Sequence, residues 1–335
     1  AIVSILLFVS CLQALQKRGT AIRSPSETPT PVQMAKKVAV VDLGTNTFNL
    51  LIATVEADTF QTLYHDKIGV ALGMGGINEK RLAEASIDRA LQALRVYKAK
   101  CDEYEVEEIR AFGTSAIRDA VNGDEFCALV YRQTGIKVTV ISGLEEAQLI
   151  HRGVRCSYDY TRPAVIMDIG GGSTEFILAD KDGIQKAVSL NIGVSRIYQQ
   201  LQLNDPISKE DIHTIENWLE EHSHGKLDGI QCDILIGSSG TFETLHEVYF
   251  QQKFPNSHAC IPMTVDELKN VLTHIMQSTL EQRRQNQYII PIRQIMIPIA
   301  SVKINWILKK LGVQQLLISP YSLKEGALFA PHKPS

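Results

Sequence analysis

Twelve prolines and two tryptophans in 335 residues, no C-x-x-C pair and no long apolar run are the first features of this chain. Scarce proline together with 44% hydrophobic and 21% charged residues excludes a collagen-like, fibrous or largely disordered protein. The six cysteines (Cys11, Cys101, Cys127, Cys156, Cys232 and Cys260) are scattered and form no Cys/His cluster at zinc-ligand spacing. They read as free thiols of a reducing compartment, so a cytoplasmic location is expected. Neither sign of charge dominates. Thirty-four basic against 37 acidic side chains leave a net of −3, which excludes a strongly basic nucleic-acid binder. His222-Ser-His224 has no Cys or carboxylate partner at ligand spacing and reads as surface histidine.

The one short apolar stretch, Ser4-Ile-Leu-Leu-Phe-Val-Ser-Cys11, falls well below the roughly 20 residues of a membrane span. No basic segment and no Met precede it, so it makes a poor signal peptide. Lys17 to Gln33 is rich in Ser, Thr and Pro and reads as disordered, and Met34-Ala-Lys-Lys37 leads directly into a strand pattern. Met34 is therefore the expected natural start, and residues 1–35 a disordered extension; a cleaved or lipid-attached leader is the alternative. No membrane partner is expected.

What the chain does have is length for two domains. Val38 to Asp42, Phe48 to Val55 and Phe60 to Lys67 read as an antiparallel meander. Asn78 to Tyr104 follows with the 3.6 period of an amphipathic helix. Strands are expected near Ile109 to Phe112 and Val138 to Ile141, with a helix after Asn122 between them. A second meander opens at Ala164 to Asp168 and runs through Phe176 to Ala179 and Ile184 to Leu190. Helices at Val194 to Gln202, Ser208 to His222, Thr241 to Phe250, Val265 to Met276 and Pro298 to Leu311 follow, with strands at Asp233 to Ile236 and Gln315 to Ser319 and a helix from Ser322. Asp42-Leu-Gly-Thr-Asn-Thr47 and Asp168-Ile-Gly-Gly-Gly-Ser-Thr174 occupy the same place in the two meanders, 126 residues apart. Such a spacing implies a duplicated domain rather than a solenoid. The expected domains are 36–150 and 151–330, with the C-terminal helix packing back on the first.

Turns of Gly, Ser and Thr between strands expose backbone N–H groups that cradle phosphate. Three such turns occur: Gly44, Thr45, Asn46 and Thr47; Gly170, Gly171, Gly172 and Ser173; and Gly237-Ser-Ser239-Gly240-Thr241, which also opens a helix. The strand-end carboxylates Asp42 and Asp168 would repel phosphate unless a hard cation bridged them, which points to Mg²⁺ or Mn²⁺. Arg118 follows a strand in Ala111-Phe-Gly-Thr-Ser-Ala-Ile-Arg118 and could clamp a phosphate or form a surface ion pair. In Ser142-Gly-Leu-Glu-Glu-Ala147 one of the two adjacent carboxylates must point differently from the other.

Together with Glu175 and Ser322-Leu-Lys-Glu-Gly-Ala327, these six motifs resemble the exopolyphosphatase and guanosine pentaphosphate phosphohydrolase family over about residues 36–330. The resemblance implies an α/β fold of two duplicated actin-like (ribonuclease H-like) domains facing a phosphate-binding cleft. It implies Glu146 as the base that activates water, Arg118 as a phosphate-contacting arginine, and Asp168 and Glu175 as acidic groups for metal-assisted catalysis. Asp42 joins those two as an expected metal ligand. The departures are Thr45 and Thr47 in place of serines, Phe48-Asn49 where many relatives carry arginine or histidine, and Gln294 where aspartate is common. The chain resembles the short form, in which the two actin-like domains stand alone. The family's frequent dimers point to a homodimer.

The expected activity is metal-dependent release of terminal orthophosphate from inorganic polyphosphate, with a Glu146 of ordinary pKa as base. Guanosine pentaphosphate is the alternative substrate; a sugar or acid kinase and a non-enzymatic phosphate or nucleotide sensor are more remote. Residues 253–335 hold 10 basic and 4 acidic side chains, either a track for a polyanion or a solvated helix face.

Overall fold

Val38 to Val41 form an unbroken apolar run because both faces of their strand, β1 (Lys36–Leu43), are covered. The structure, a computed structural model, describes residues 35–57 and 59–330. The expected extension or leader at residues 1–34, with Cys11 and Met34, lies outside the described residues. β1 pairs antiparallel with β2 (Thr47–Glu56), which pairs with β3 (Thr59–Gly69). After α1 (Glu84–Glu103), β4 (Glu108–Gly113) returns parallel to β1. Then come α2 (Ser115–Arg118), α3 (Gly123–Thr134), β5 (Val138–Val140) and α4 (Gly143–Val154), giving a sheet of order β3-β2-β1-β4-β5.

The second sheet repeats the plan. β6 (Ala164–Ile169), buried at every residue, pairs antiparallel with β7 (Thr174–Asp180), which pairs with β8 (Gly183–Leu190). α5 (Val194–Gln200) and α6 (Lys209–Ser223) lead to β9 (Ile234–Ser238), parallel to β6. α7 (Gly240–Phe250), β10 (Ile261–Met263), α8 (Val265–Gln277), α9 (Leu280–Gln285), α10 (Pro291–Gln294), α11 (Ile297–Leu311), β11 (Gln315–Ile318) and α12 (Leu323–Leu328) complete it. Its order, β10-β11-β9-β6-β7-β8, contains the same meander-plus-crossover as the first sheet. The duplication read from the two Asp-x-Gly turns is thus a duplication of ribonuclease H-like topology.

One core cluster joins the halves. Val38, Val40 and Leu51 of the first sheet and Ile166, Ile177 and Ile236 of the second pack on Ala147, Ile150 and Val154 of α4 and Leu323, Ala327 and Leu328 of α12. α4 and α12 can lie so close because glycines face the crossing: a Cβ on Gly153 would fall 1.9 Å from Ser322 O, and one on Gly326 would fall 1.9 Å from Leu149 O. The glycine of Ser322-Leu-Lys-Glu-Gly326 therefore has a packing reason.

Besides the short helices α2, α9 and α10, which the sequence did not predict, two elements differ from the sequence expectation. α1 starts at Glu84 rather than Asn78, because Asn78 donates to Arg196 O (3.2 Å) and Leu82 is held at both backbone groups by the Asn122 side chain. Those tertiary bonds override good local helix formers. β10, unpredicted, is a three-residue edge strand with Pro262 at its centre, where no ladder donor is required.

Candidate active site

The turns after β1 and β6 and the turn before α7 open onto one cleft between the two sheets. Gly44, Thr45, Asn46, Thr47, Gly170, Gly171, Gly172, Ser173, Ser239, Gly240 and Thr241 line it, as do Asp42, Glu146, Asp168 and Glu175. Two of the expected site residues stand elsewhere. Gly237 is buried under the Phe242 ring, which a Cβ would strike at 2.3 Å, so its role is close strand-helix packing. Arg118 stands behind the wall and reaches the cleft only through Glu146.

Strand pairing positions the acids. Asp168 and Glu175 are direct cross-strand partners, and in the first half the equivalent pair is Asp42 and Asn49. Like charges directly opposite one another destabilise a sheet. Asn49 answers this in the first half by donating Nδ2 to Asp42 Oδ2 at 3.0 Å. In the second half hydroxyls help, Ser322 donating to Asp168 Oδ2 and Ser189 to Glu175 Oε1, both at 2.7 Å, with the more distant charges of Lys324 and Arg118 adding to them. Burial raises the Asp42 carboxyl to about 6, with the Asn49 bond opposing and Asp168 adding to the shift. Burial also raises Asp168. Glu175 is pushed to about 7 by burial and then by Asp168.

The ambiguity of the adjacent glutamates is resolved by a capping box. Ser142 accepts from the Glu145 amide while Glu145 Oε2 accepts from the Ser142 amide at 2.9 Å, which commits Glu145 to the helix terminus. Glu146, one residue further round α4, points into the cleft and is 8% exposed. Arg118 Nη1 donates to Glu146 Oε2 and to Ile141 O, each at 3.0 Å. Glu146 is not a carboxyl of ordinary pKa. Burial and then Glu175 push it well above the usual range, with Arg118 opposing.

Three cations that the sequence reading did not assign to the site also line the cleft: Lys67, Arg293 and Lys324. Lys67 and Arg293 converge on Gly240, where a Cβ would fall 2.9 Å from Lys67 Nζ and closer still to the guanidinium. Lys67 keeps 34% of its side-chain surface yet stands among protein atoms; burial and Arg293 lower it to about 8, partly offset by Glu243 at 3.8 Å. Burial would lower Lys324, but Glu325, Glu243 and Asp42 more than offset it. The basic C-terminal quarter is not a continuous track. Lys309 and Lys310 pair with Glu216 and Glu220, Arg283 pairs with Asp205, and Lys303 is buried. Among the described residues of that quarter, Arg293 and Lys324 are the cations that line the cleft. Strand register is the signal that could have found Lys67, which sits opposite Asn49.

Loop geometry is set by tight contacts. Asn46 Oδ1 accepts from Ser195 Oγ at 2.6 Å, so this expected phosphate ligand spends its side chain on the junction between the halves. A Cβ on Gly193 would lie 2.2 Å from Gly171 O and 2.4 Å from Gly172 C. Gly193→Ala must displace that loop, and a loss of about 1–3 kcal/mol is expected in thermal or denaturant unfolding; unchanged stability would contradict the packing. Ser239 holds φ at +70°, a conformation L-residues rarely adopt, with its Oγ buried and interacting with Asp168. Strain of this kind persists at functional loops when the surroundings impose it.

The donor set also bears on a metal. Among the described residues no three His, Cys, Asp or Glu side chains form a ready ligand cluster. Five carboxylates against three cations nonetheless line the cleft. Asp168 and Glu175 are hard oxygen donors whose repulsion a divalent cation relieves. That suits Mg²⁺ or Mn²⁺, which share their coordination among one or two carboxylates, water and substrate oxygens rather than an all-protein cage. His222 is engaged instead in stacking on Trp218, ring centroids 3.8 Å apart.

Known proteins share this fold. An exopolyphosphatase from Cytophaga hutchinsonii superposes with a TM-score of 0.84 at 33% identity, over 88% of this chain and 97% of that one. The Aquifex aeolicus PPX-GPPA enzyme does so with a TM-score of 0.73 at 25% identity, over 88% and 99%. A bifunctional 3-dehydroquinate synthase/phosphatase from Fusobacterium nucleatum is 34% identical over 309 residues, 87% of this chain; the chain spans about half, 46%, of that relative's length. The Ppx/GppA phosphatase family model matches residues 51–333, and the chain belongs to that family of phosphohydrolases.

Proposed function

We propose that the cleft removes the terminal orthophosphate of inorganic polyphosphate by attack of water. The observation that carries this reading is the placement of Glu146: a buried carboxylate, gripped by Arg118, lining the same cleft as the Gly170 to Ser173 loop. The backbone N–H groups of that loop and of the Gly44 turn would hold the terminal phosphoryl oxygens. Lys67 and Arg293, whose side chains converge at Gly240 where α7 starts, would hold phosphates further along the chain. Asp168 and Glu175 would hold a Mg²⁺ or Mn²⁺ ion, which supplies neutralisation of phosphoryl charge. Glu146 takes the proton of the attacking water. Its raised pKa makes it a stronger base than a surface glutamate, provided the pH is high enough to ionise it.

A second reading, hydrolysis of the 5′-triphosphate end of guanosine pentaphosphate, is favoured by Tyr321. Its ring lines the same cleft, braced edge-on by Phe60 with centroids 5.6 Å apart, and offers a face on which a purine can stack. Orthophosphate release from long-chain polyphosphate, guanosine pentaphosphate and ATP, with and without Mg²⁺, tests both. Mg²⁺-dependent release from polyphosphate is expected; release from guanosine pentaphosphate alone would move the assignment to the second reading, and release from neither would overturn both.

A loss of Lys67 acts on binding rather than chemistry in this scheme. Lys67→Met is expected to raise KM for polyphosphate about tenfold with kcat within about twofold, as for one charge-assisted contact. Steady-state kinetics at low ionic strength checks it, and an unchanged KM would remove Lys67 from the substrate path.

A further inference from the structure

Arg196 is a buried arginine that the proposed chemistry does not use. It is 8% exposed, on α5, and each guanidinium nitrogen is spent on a different segment. Nε donates to Gly172 O at 2.7 Å, in the phosphate loop of the second half. Nη1 donates to Ile77 O at 3.2 Å, and Nη2 donates to Ser115 Oγ at 3.3 Å and to Asp119 Oδ2, all in the first half. The other oxygen of Asp119 lies 3.7 Å from Arg118 Nε, and Arg118 Nη1 in turn meets Glu146. A continuous chain of contacts, Gly172, Arg196, Asp119, Arg118, Glu146, therefore crosses between the halves. A Cβ on Gly172 would fall 2.5 Å from Ser115 Oγ, so loop and α2 are already in contact where the chain crosses.

We propose that Arg196 and Asp119 are positioning residues: together they latch the Gly170 to Gly172 loop onto α2 and set the direction in which Arg118 meets Glu146. The inference rests on the proposed hydrolytic reading for its kinetic consequence, but the latch itself does not. Asp119 stands between two arginines, so its carboxylate divides its pull between them. Removing the Arg196 guanidinium leaves Asp119 to draw Arg118 away from Glu146 and releases Gly172 O. Removing both charges takes away that misdirected pull, because a partner left alone in a buried site does more harm than a pair removed together.

Four forms of the full chain test this: wild type, Arg196→Met, Arg196→Lys and the double variant Arg196→Met/Asp119→Asn. Arg196→Met is expected to lower kcat about 100-fold, the scale of a misplaced catalytic group, with KM within about threefold. Arg196→Lys recovers roughly tenfold of that loss by restoring the charge opposite Asp119. The double variant is expected to be more active than Arg196→Met alone; a double variant equal to or worse than the single would overturn the latch. Amide-hydrogen exchange reads the same contact without any substrate. Exchange across 169–174 and 114–119 is expected to quicken in Arg196→Met and recover in Arg196→Lys, and unchanged exchange in both segments would overturn the latch. If the wild type released no phosphate from any substrate, the hydrolytic reading would fail while the exchange result still decided the latch.

Discussion

Glu146→Gln is expected to cut orthophosphate release by about 10²–10⁴-fold, the range of general-base contributions, with the melting temperature close to that of the wild type. The amide keeps an oxygen that can accept from Arg118 Nη1, so the buried contact at 3.0 Å survives in altered form and the fold has no reason to collapse. What is lost is the group that takes the proton. Its pH dependence has a definite sign. Glu146 must be ionised to act, and burial and Glu175 raise its pKa, so kcat/KM should climb with pH on a limb lying above the ordinary glutamate value of about 4.3. Glu175→Gln removes a like charge and should move the limb down in whatever activity remains. A limb at an ordinary carboxylate value in the wild type would contradict the burial of Glu146.

Asp168→Asn is expected to abolish metal-dependent turnover while making the metal-free protein more stable. In the proposed scheme the activity loss comes from removing a donor to the cation, about 10²–10⁴-fold if several kcal/mol of charge stabilisation goes with it. The gain in stability follows from the pairing of Asp168 with Glu175. Because burial raises the Asp168 carboxyl, the folded state binds its proton more tightly than the unfolded chain does. Stability from this group therefore falls as pH rises through the ordinary carboxylate range and is lowest above the raised pKa. At pH 8 with chelator, Asp168→Asn should melt a few degrees higher than wild type, about 2–4 °C per kcal/mol, and the gap should close toward pH 4. Added Mg²⁺ should raise the wild-type melting temperature and leave the variant's nearly unchanged. Equal melting curves at every pH, with and without Mg²⁺, would show that the two carboxylates neither repel nor share an ion. Such a residue trades stability for function, as active-site groups commonly do.

Much of this site was legible before any coordinates, and the reasons are local. Asp42 and Asp168 each end a buried strand and precede a small-residue turn, a pattern written in a few consecutive residues and repeated. The spacing of Ser142 and Glu145 is a capping-box pattern that could have assigned one glutamate to the helix end; the sequence reading left the pair open, and the structure resolved it. Tertiary contacts were not legible. Arg196 and Asp119 lie 77 residues apart and meet only because α5 and α2 are brought together between the halves. Lys303 is another such case. It sits on a helix with apolar neighbours, fully buried, donating to Thr174 Oγ1 at 2.6 Å and to Ile192 O, with burial lowering its pKa to about 7. Helix periodicity marks that position as core, and no sequence rule places an amine there. The basic count of the C-terminal quarter says little about the cleft, since Arg283, Lys309 and Lys310 pair with carboxylates of the chain and Lys303 is buried.

The central claim, that water guided by Glu146 attacks the terminal phosphorus of a chain held in this cleft, is tested most directly by isotope transfer. The full chain is incubated with polyphosphate and Mg²⁺ in ¹⁸O-labelled water, and the products are resolved by phosphorus NMR and mass spectrometry. The account predicts one labelled oxygen in each released orthophosphate, none in the shortened chains, and about 10²–10⁴-fold less of that product from Glu146→Gln. Label in the remaining polyphosphate, internal fragments in place of orthophosphate, or undiminished release by Glu146→Gln would contradict it.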